Sequence, residues 1–381
     1  MNHSSVTKIL TWGAAAGLVG VLATGFTVGW ERVWVNWILW SLFVLTVGLG
    51  CFFLVALEHV AGAKWSVPLR RVPERLSSLA PLMGPALLLA LLALPVLYPW
   101  TRPGAHDDPI LAGKAVWLNA PFFVARVVAC IGLWWLAYRI LVSGSVRQDR
   151  DKDLRFSVRA RRFAPVFMVI FGITITVVAF DWIAGLEPAW YSDVFGVYIF
   201  AGTVLAGLSA TTLAVLYFLA RGKLPGVQPD HVYSLGGFLF AFTVFWAYIG
   251  FSQYLLMWYA NMPEEVFWYK ERLKGLWGAL VLLLAVLHFL VPFLVLIPRS
   301  AKTDPKRLTW IAVIMLLAHW LDLYWMVVPV LGIGPVFSWP ELCFAMFFVS
   351  ASLLWFRRLI GRAAAMPLGD PFLRQGLEFR L

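Results

Sequence analysis

In "HWLDLYW", residues His319 to Trp325, an imidazole and a carboxyl stand three residues apart and therefore on one helix face. Both groups can exchange a proton, the imidazole near neutral pH and the carboxyl in the acid range, and both can ligate a metal. They lie in a run, Ile311 to Leu331, that is otherwise almost entirely apolar. Other ionisable residues share that setting: Glu58 with His59, Arg126, Asp181, His288 and Glu341, with Gln253 as a neutral companion. A charge at the centre of a bilayer costs about 2.5 to 3.5 kcal/mol, so such residues face a protein interior and find partners there.

The elements that carry them follow from composition. The chain has 381 residues, 61% hydrophobic and 13% charged, half the charge of an ordinary soluble domain. About 20 apolar residues span a bilayer as a helix. Ten such segments are expected, at 9–29, 36–58, 79–99, 115–142, 164–184, 195–220, 234–260, 274–298, 308–330 and 338–360. The fold class is all-α integral membrane, and residues 1–381 form one polytopic domain. The first segment is too long for a signal-peptide core and is read as a retained helix.

An even number of spans puts both termini on one side. That side collects Lys8, Lys64, Arg70, Arg71, Arg75, the basic run from Arg147 to Arg162, Arg221, Lys223, Arg299, Lys302, Lys306, Arg307 and the C-terminal arginines. The other side has only Arg32, Arg102, Lys114, Lys270, Arg272 and Lys274, so both termini are expected in the cytoplasm. The net charge of +11 then reflects topology and membrane lipids rather than nucleic acid. Two longer cytoplasmic loops are expected at 59–78 and 143–163, the second with an interfacial helix in "RQDRDKDLRFSVRARR". The outer segments "GLEPAWYSD" and "WYANMPEEVFWYKE" carry the aromatics of a membrane-interface belt.

Depth can be counted at roughly 1.5 Å per residue. His288 and His319 both come out about 15 Å from the cytoplasmic ends of their spans, level with each other on adjacent helices. Asp322 lies one turn further outward, where Arg126 is a candidate partner. Glu58 and His59 fall at the cytoplasmic end, and Asp181, Gln253 and Glu341 near the outer end. This ladder suits a proton path, while an Arg–Asp pair and a hydrogen-bonded histidine equally suit helix packing.

Two level histidines could also ligate a haem, although the bulky aromatics around them leave little space for a macrocycle. Cys51, Cys130 and Cys343 lie in separate spans with no C-x-x-C pair, which fits packing residues rather than metal or cluster ligands. No metal and no cofactor is expected on this chain.

"DWIAGLEPAWYSDVFGVYIFAG" (Asp181 to Gly202), "FAFTVFWAYIGFSQYLLMWYANMPEE" (Phe240 to Glu265) and "HWLDLYWMVVP" (His319 to Pro329) together resemble the NrfD/polysulfide-reductase-like membrane proteins. The likeness is nearest to the smaller such subunit of bacterial alternative complex III, and it covers essentially the whole chain. It implies two four-helix bundles with two peripheral helices, in the bacterial cytoplasmic membrane. It also implies partners: a larger paralogous subunit that oxidises quinol, an iron–sulfur protein, multihaem and monohaem cytochromes c, and a terminal oxidase in a supercomplex. Quinol or menaquinol, haem c and iron–sulfur clusters would then belong to those partners.

The matching positions are Asp181 and Glu187 around "LEP", Gln253 and Tyr254 in "FSQY", and His319 with Asp322 in "HWLD". Glu187, Gln253 and Tyr254 are the candidates for facing quinol or lipid. Ala189 departs from the pattern, which has a polar residue there, and this counts against chemistry in the 187–191 turn. The leading reading is a membrane subunit of a quinol:cytochrome c oxidoreductase, not catalytic alone, that lends structure and a proton route. The alternatives are a quinol site within this chain, or a proton-coupled transporter with a midplane site, for which Pro292 is the nearest helix break.

Overall fold

Proline and glycine decide where the long apolar helices of this chain run straight and where they break. The computed structural model describes residues 3–361 and 364–381. Among the described residues there is no strand, and ten helices are long and apolar enough to cross a membrane. They are span 1 (Ser5–Thr27), span 2 (Trp30–Ala61), span 3 (Val67–Leu97), span 4 (Ala120–Asp151), span 5 (Arg155–Leu186), span 6 (Phe195–Leu219), span 7 (Pro229–Ala260), span 8 (Gly275–Leu296), span 9 (Pro305–Leu331) and span 10 (Trp339–Ile360). The protein is an all-α, ten-span membrane protein.

Spans 2 to 5 form one four-helix bundle and spans 6 to 9 the other. Span 1 packs along span 10 outside them, against span 2. The two bundles meet where span 2 crosses span 6, and glycine makes that crossing close. A methyl group on Gly207 would press into the backbone of Gly50 and Cys51, and one on Gly50 would meet the Thr203 carbonyl. With lipid tails as apolar as leucine, close backbone approach is a main source of helix association in a bilayer. Gly207→Val is therefore expected to destabilise the fold by about 3 kcal/mol, read as a lower temperature of heat-induced loss of the monodisperse detergent-soluble protein.

The structure corrects several expectations. Span 3 starts at Val67 and is broken into short α and 3-10 pieces, because Pro68, Pro73, Pro81, Pro85 and Pro95 each remove a backbone donor and crowd the preceding turn. The expected loop 59–78 is thus mostly helix, and Arg70, Arg71 and Arg75 are buried rather than solvated. Partners explain it: Arg70 pairs with Glu58 at 3.1 Å and Asp370 at 2.7 Å, and Arg71 with Glu74 at 3.0 Å and Asp149 at 2.6 Å.

The stretch 143–163 holds no separate interfacial helix. Ser143–Asp151 continues span 4, Lys152 in the left-handed conformation ends it, and span 5 begins at Arg155. The C-terminal segment folds back on the same face, with Gly369 N–H donating to Asp149 and the Gly376 carbonyl 2.9 Å from His231 Nε2. That face carries both termini and is called the terminal face below, its opposite the far face.

Three spans contain a π-helical segment, Tyr138–Val142, Ala179–Ile183 and Ala285–Leu290. Each fits in extra residues without ending the helix, which re-aims the side chains beyond it. Asp181 and His288 both sit on such segments.

Candidate functional site

Span 9 begins with Asp304, whose carboxylate accepts from the Lys306 and Arg307 amides, followed by Pro305 at the first helical position. From there it runs through the centre of the second bundle, and His319, Asp322, Leu323, Tyr324 and Trp325 are all buried. Asp322 Oδ1 accepts a hydrogen bond from the Tyr198 hydroxyl at 2.6 Å, and Oδ2 accepts one from Trp246 Nε1 at 3.3 Å. Its partners are thus neutral donors from spans 6 and 7.

Arg126 is not the partner of Asp322. It grips Asp181 instead, through Nε to Oδ2 at 2.7 Å and one terminal nitrogen to Oδ1 at 3.0 Å. The guanidinium lies 4.1 Å from the Trp117 ring and 4.3 Å from the Phe122 ring, and Trp117 Nε1 donates to Asp181 at 2.9 Å. Short connections make spans 4 and 5 antiparallel neighbours, and this puts Asp181 rather than Asp322 within reach of Arg126. A bidentate pair closed in by aromatic faces fixes helix packing.

The two histidines do meet. The His288 and His319 ring centroids are 6.3 Å apart, and the Trp246 ring lies 4.0 Å from that of His288. His319 Nε2 is 2.9 Å from the Thr46 hydroxyl, which ties span 9 to span 2, and Gly202 leaves the space in which the His319 ring sits. Neither nitrogen of His288 has a hydrogen-bond partner among the described residues. Trp246, packed on the imidazole, fills the space that a macrocycle on these histidines would need, so the residues present do not fit a haem.

Asp322 also lines a cavity of about 650 Å³ between spans 7 and 8. Polar groups on its wall include Tyr198, Trp246, Gln253, Tyr254, Tyr269 and Asp322, and most of the rest is apolar, including Val244, Phe251, Val281, Leu284 and Phe289. Tyr248, Phe251 and Tyr254 are exposed at its edge, so the cavity opens sideways into lipid in the half of the membrane next to the far face. Gln253 is buried and its Oε1 has no hydrogen-bond partner among the described residues. Tyr269 lines the same cavity, and burial, reinforced by the Asp322 charge, pushes its phenol above its ordinary range. Tyr269 therefore stays a protonated donor.

A short helix, Pro263–Arg272, roofs this cleft. Arg272 is buried, pairs with Glu187 at 2.6 Å, donates to the Met326 carbonyl at 3.0 Å and stacks on Trp268 at 3.9 Å. Trp268 in turn stacks on Trp190 at 4.4 Å. Glu187 is therefore the latch that holds the roof to the loop 185–194, and it does not line the cleft.

The remaining candidates lie elsewhere. Glu58 is ion-paired with Arg70 near the terminal face, beside His59. Glu341 caps span 10 through Ser338 and pairs with Arg32 at 2.9 Å near the far face. Between Thr46 and Glu58, about 18 Å along the helix, span 2 carries only apolar residues, glycines and Cys51. The ladder is thus a set of separate clusters, of which the central one, Asp322 with His288 and His319, borders the cleft.

Counting along the sequence did not single out Tyr198, Trp246, Tyr269, Arg272 or Thr46. Tyr198 and Trp246 stand inside the long aromatic motifs, and that was the available signal. No protein-family model and no curated protein matches the chain.

Proposed function

We propose that this chain is a membrane subunit of a bacterial quinol-oxidising electron-transfer complex of the alternative complex III kind, and that its cleft holds the quinone ring. The observation that carries this reading is the cleft itself: open to lipid, walled by aromatics, and ending at a buried carboxyl whose partners among the described residues are neutral. Apolar walls with a few convergent polar groups suit a lipid-soluble ring with a hydroxyl at each end. This favours a quinol site within the chain over a purely structural role.

In this reading one quinol hydroxyl donates to Asp322 and the other to Gln253 Oε1, and Tyr269 donates to the ring oxygen beside it. Oxidation releases two protons and two electrons. Asp322 receives one proton within hydrogen-bond reach, as a general base must, and the second leaves the hydroxyl beside Gln253 for water at the far face. The electrons pass to a redox centre on a partner subunit above the far face, which is then the outer face of the cytoplasmic membrane. The basic terminal face is the cytoplasmic one, in keeping with the positive-inside rule.

Purification of the tagged chain from its own membranes tests this. Covalent c-type haem and close to one quinone per chain are expected to co-purify, and Ala247→Trp, which fills the cleft wall, is expected to lower the quinone content at least tenfold. A lone, quinone-free protein that moves solute in proteoliposomes would overturn the reading in favour of a transporter.

A further inference from the structure

A pair of adjoining cavities lies at the opposite end of the molecule. At the terminal face, spans 1, 6 and 10 enclose a cavity of about 1340 Å³ lined by Lys8, Arg75, Arg221, Lys223, Arg357 and Arg358. None of its described lining residues is acidic. Arg75 is buried at its inner wall and donates to the Ala364 carbonyl at 2.6 Å, Arg357 donates to the Thr7 hydroxyl at 3.3 Å, and Arg221 lies on the Tyr217 ring at 4.3 Å. These contacts fix the guanidinium positions around the cavity.

The cavity continues into an apolar cleft of about 470 Å³ that shares Tyr217, Arg357 and Ile360 with it. The cleft follows span 10 from Val349 to Ile360, with Phe43, Val47, Leu79 and Ala214 on its other side. That is about 16 Å of helix, half of a hydrocarbon core about 30 Å thick, and so the depth of one leaflet. A basic chamber at head-group level above an apolar slot one leaflet deep has the shape and charge of a phospholipid standing in its own leaflet. Basic pockets between spans on the positive side of a membrane bind anionic head groups in this way.

We propose that this cavity and cleft bind an anionic glycerophospholipid, with its phosphodiester among the six cations and one acyl chain along span 10. The lipid fills the gap that span 1 leaves against spans 2 and 6 at this end. It thereby ties the peripheral pair, spans 1 and 10, to the bundles, and it lowers the repulsion among the cations.

Native mass spectrometry of the full chain in detergent, titrated with lipids of one acyl length, tests the site. Phosphatidylglycerol is expected to bind at least tenfold more tightly than phosphatidylethanolamine. Arg221 and Arg358 are outward-facing, so the double variant Arg221→Gln/Arg358→Gln is expected to fold normally. At about fivefold per lost cation, it should bind phosphatidylglycerol roughly 25-fold more weakly. Ala214→Trp keeps every charge and fills the cleft, and it should weaken both lipids. Glycerol phosphate, which lacks acyl chains, should not compete. Equal affinity for the two lipids, unchanged binding by the double variant, or full competition by glycerol phosphate would each overturn the proposal.

Discussion

Asp322→Asn is expected to lower quinol turnover by about 10² to 10⁴-fold, the usual contribution of a positioned general base, while the protein stays folded and keeps its quinone. The folded state survives because an amide can replace the carboxylate in this hydrogen-bonding site. Its oxygen can accept from Trp246 Nε1, and its NH2 can donate to the Tyr198 oxygen, since a phenol both donates and accepts. What the amide cannot do is take a proton from the ring. Asp322→Glu should recover part of the rate, because the carboxyl is retained and only its reach changes. The measurement is steady-state electron transfer from a short-chain quinol, normalised to quinone content. A rate within a few-fold of normal would reduce Asp322 to a packing residue and leave the cleft without a base.

Asp181→Asn should have the opposite profile. Removing this charge leaves Arg126 buried with no counter-charge, and breaking one side of a buried pair costs about 3 to 5 kcal/mol. Loss of folded protein on heating should therefore come at a markedly lower temperature. The folded fraction should turn over quinol within a few-fold of normal, since Asp181 bonds to Arg126 and Trp117 and lies apart from the cleft. The double variant Arg126→Gln/Asp181→Asn removes the orphaned charge and should regain most of the stability. If it stays as unstable as Asp181→Asn, the cost arises from packing rather than charge.

These two carboxyls also show how far the sequence could be read. Distance along the membrane normal follows from counting residues, and that placed His288 level with His319, as their ring separation of 6.3 Å bears out. Counting says nothing about which helix stands beside which, so Arg126 was matched with Asp322 when the neighbouring span 5 carried its partner. The π segment Ala179–Ile183 adds to the difficulty, because it re-aims Asp181 in a way that regular helical spacing does not anticipate.

Charge near the terminal face is hard to place from sequence for a related reason. Arg70 and Arg71 look like solvated loop residues because their carboxylates, Glu58, Asp149 and Asp370, come from distant parts of the chain. Aromatic residues posed the converse problem. A belt at the head groups and the wall of a cleft use the same residue types, so Tyr198, Trp246 and Tyr269 could not be told from their belt neighbours until the helices were in place.

The side opening of the cleft between spans 7 and 8 sets how its occupancy must be reckoned. Whatever fills it arrives by diffusion in the plane of the bilayer, so the governing quantity is mole fraction in lipid rather than concentration in water. Diluting the aqueous phase would leave occupancy unchanged, and diluting the membrane with added phospholipid would lower it in proportion. An inhibitor of this site would likewise owe much of its apparent strength to partitioning, and two compounds that fit equally well could differ greatly in potency for that reason alone.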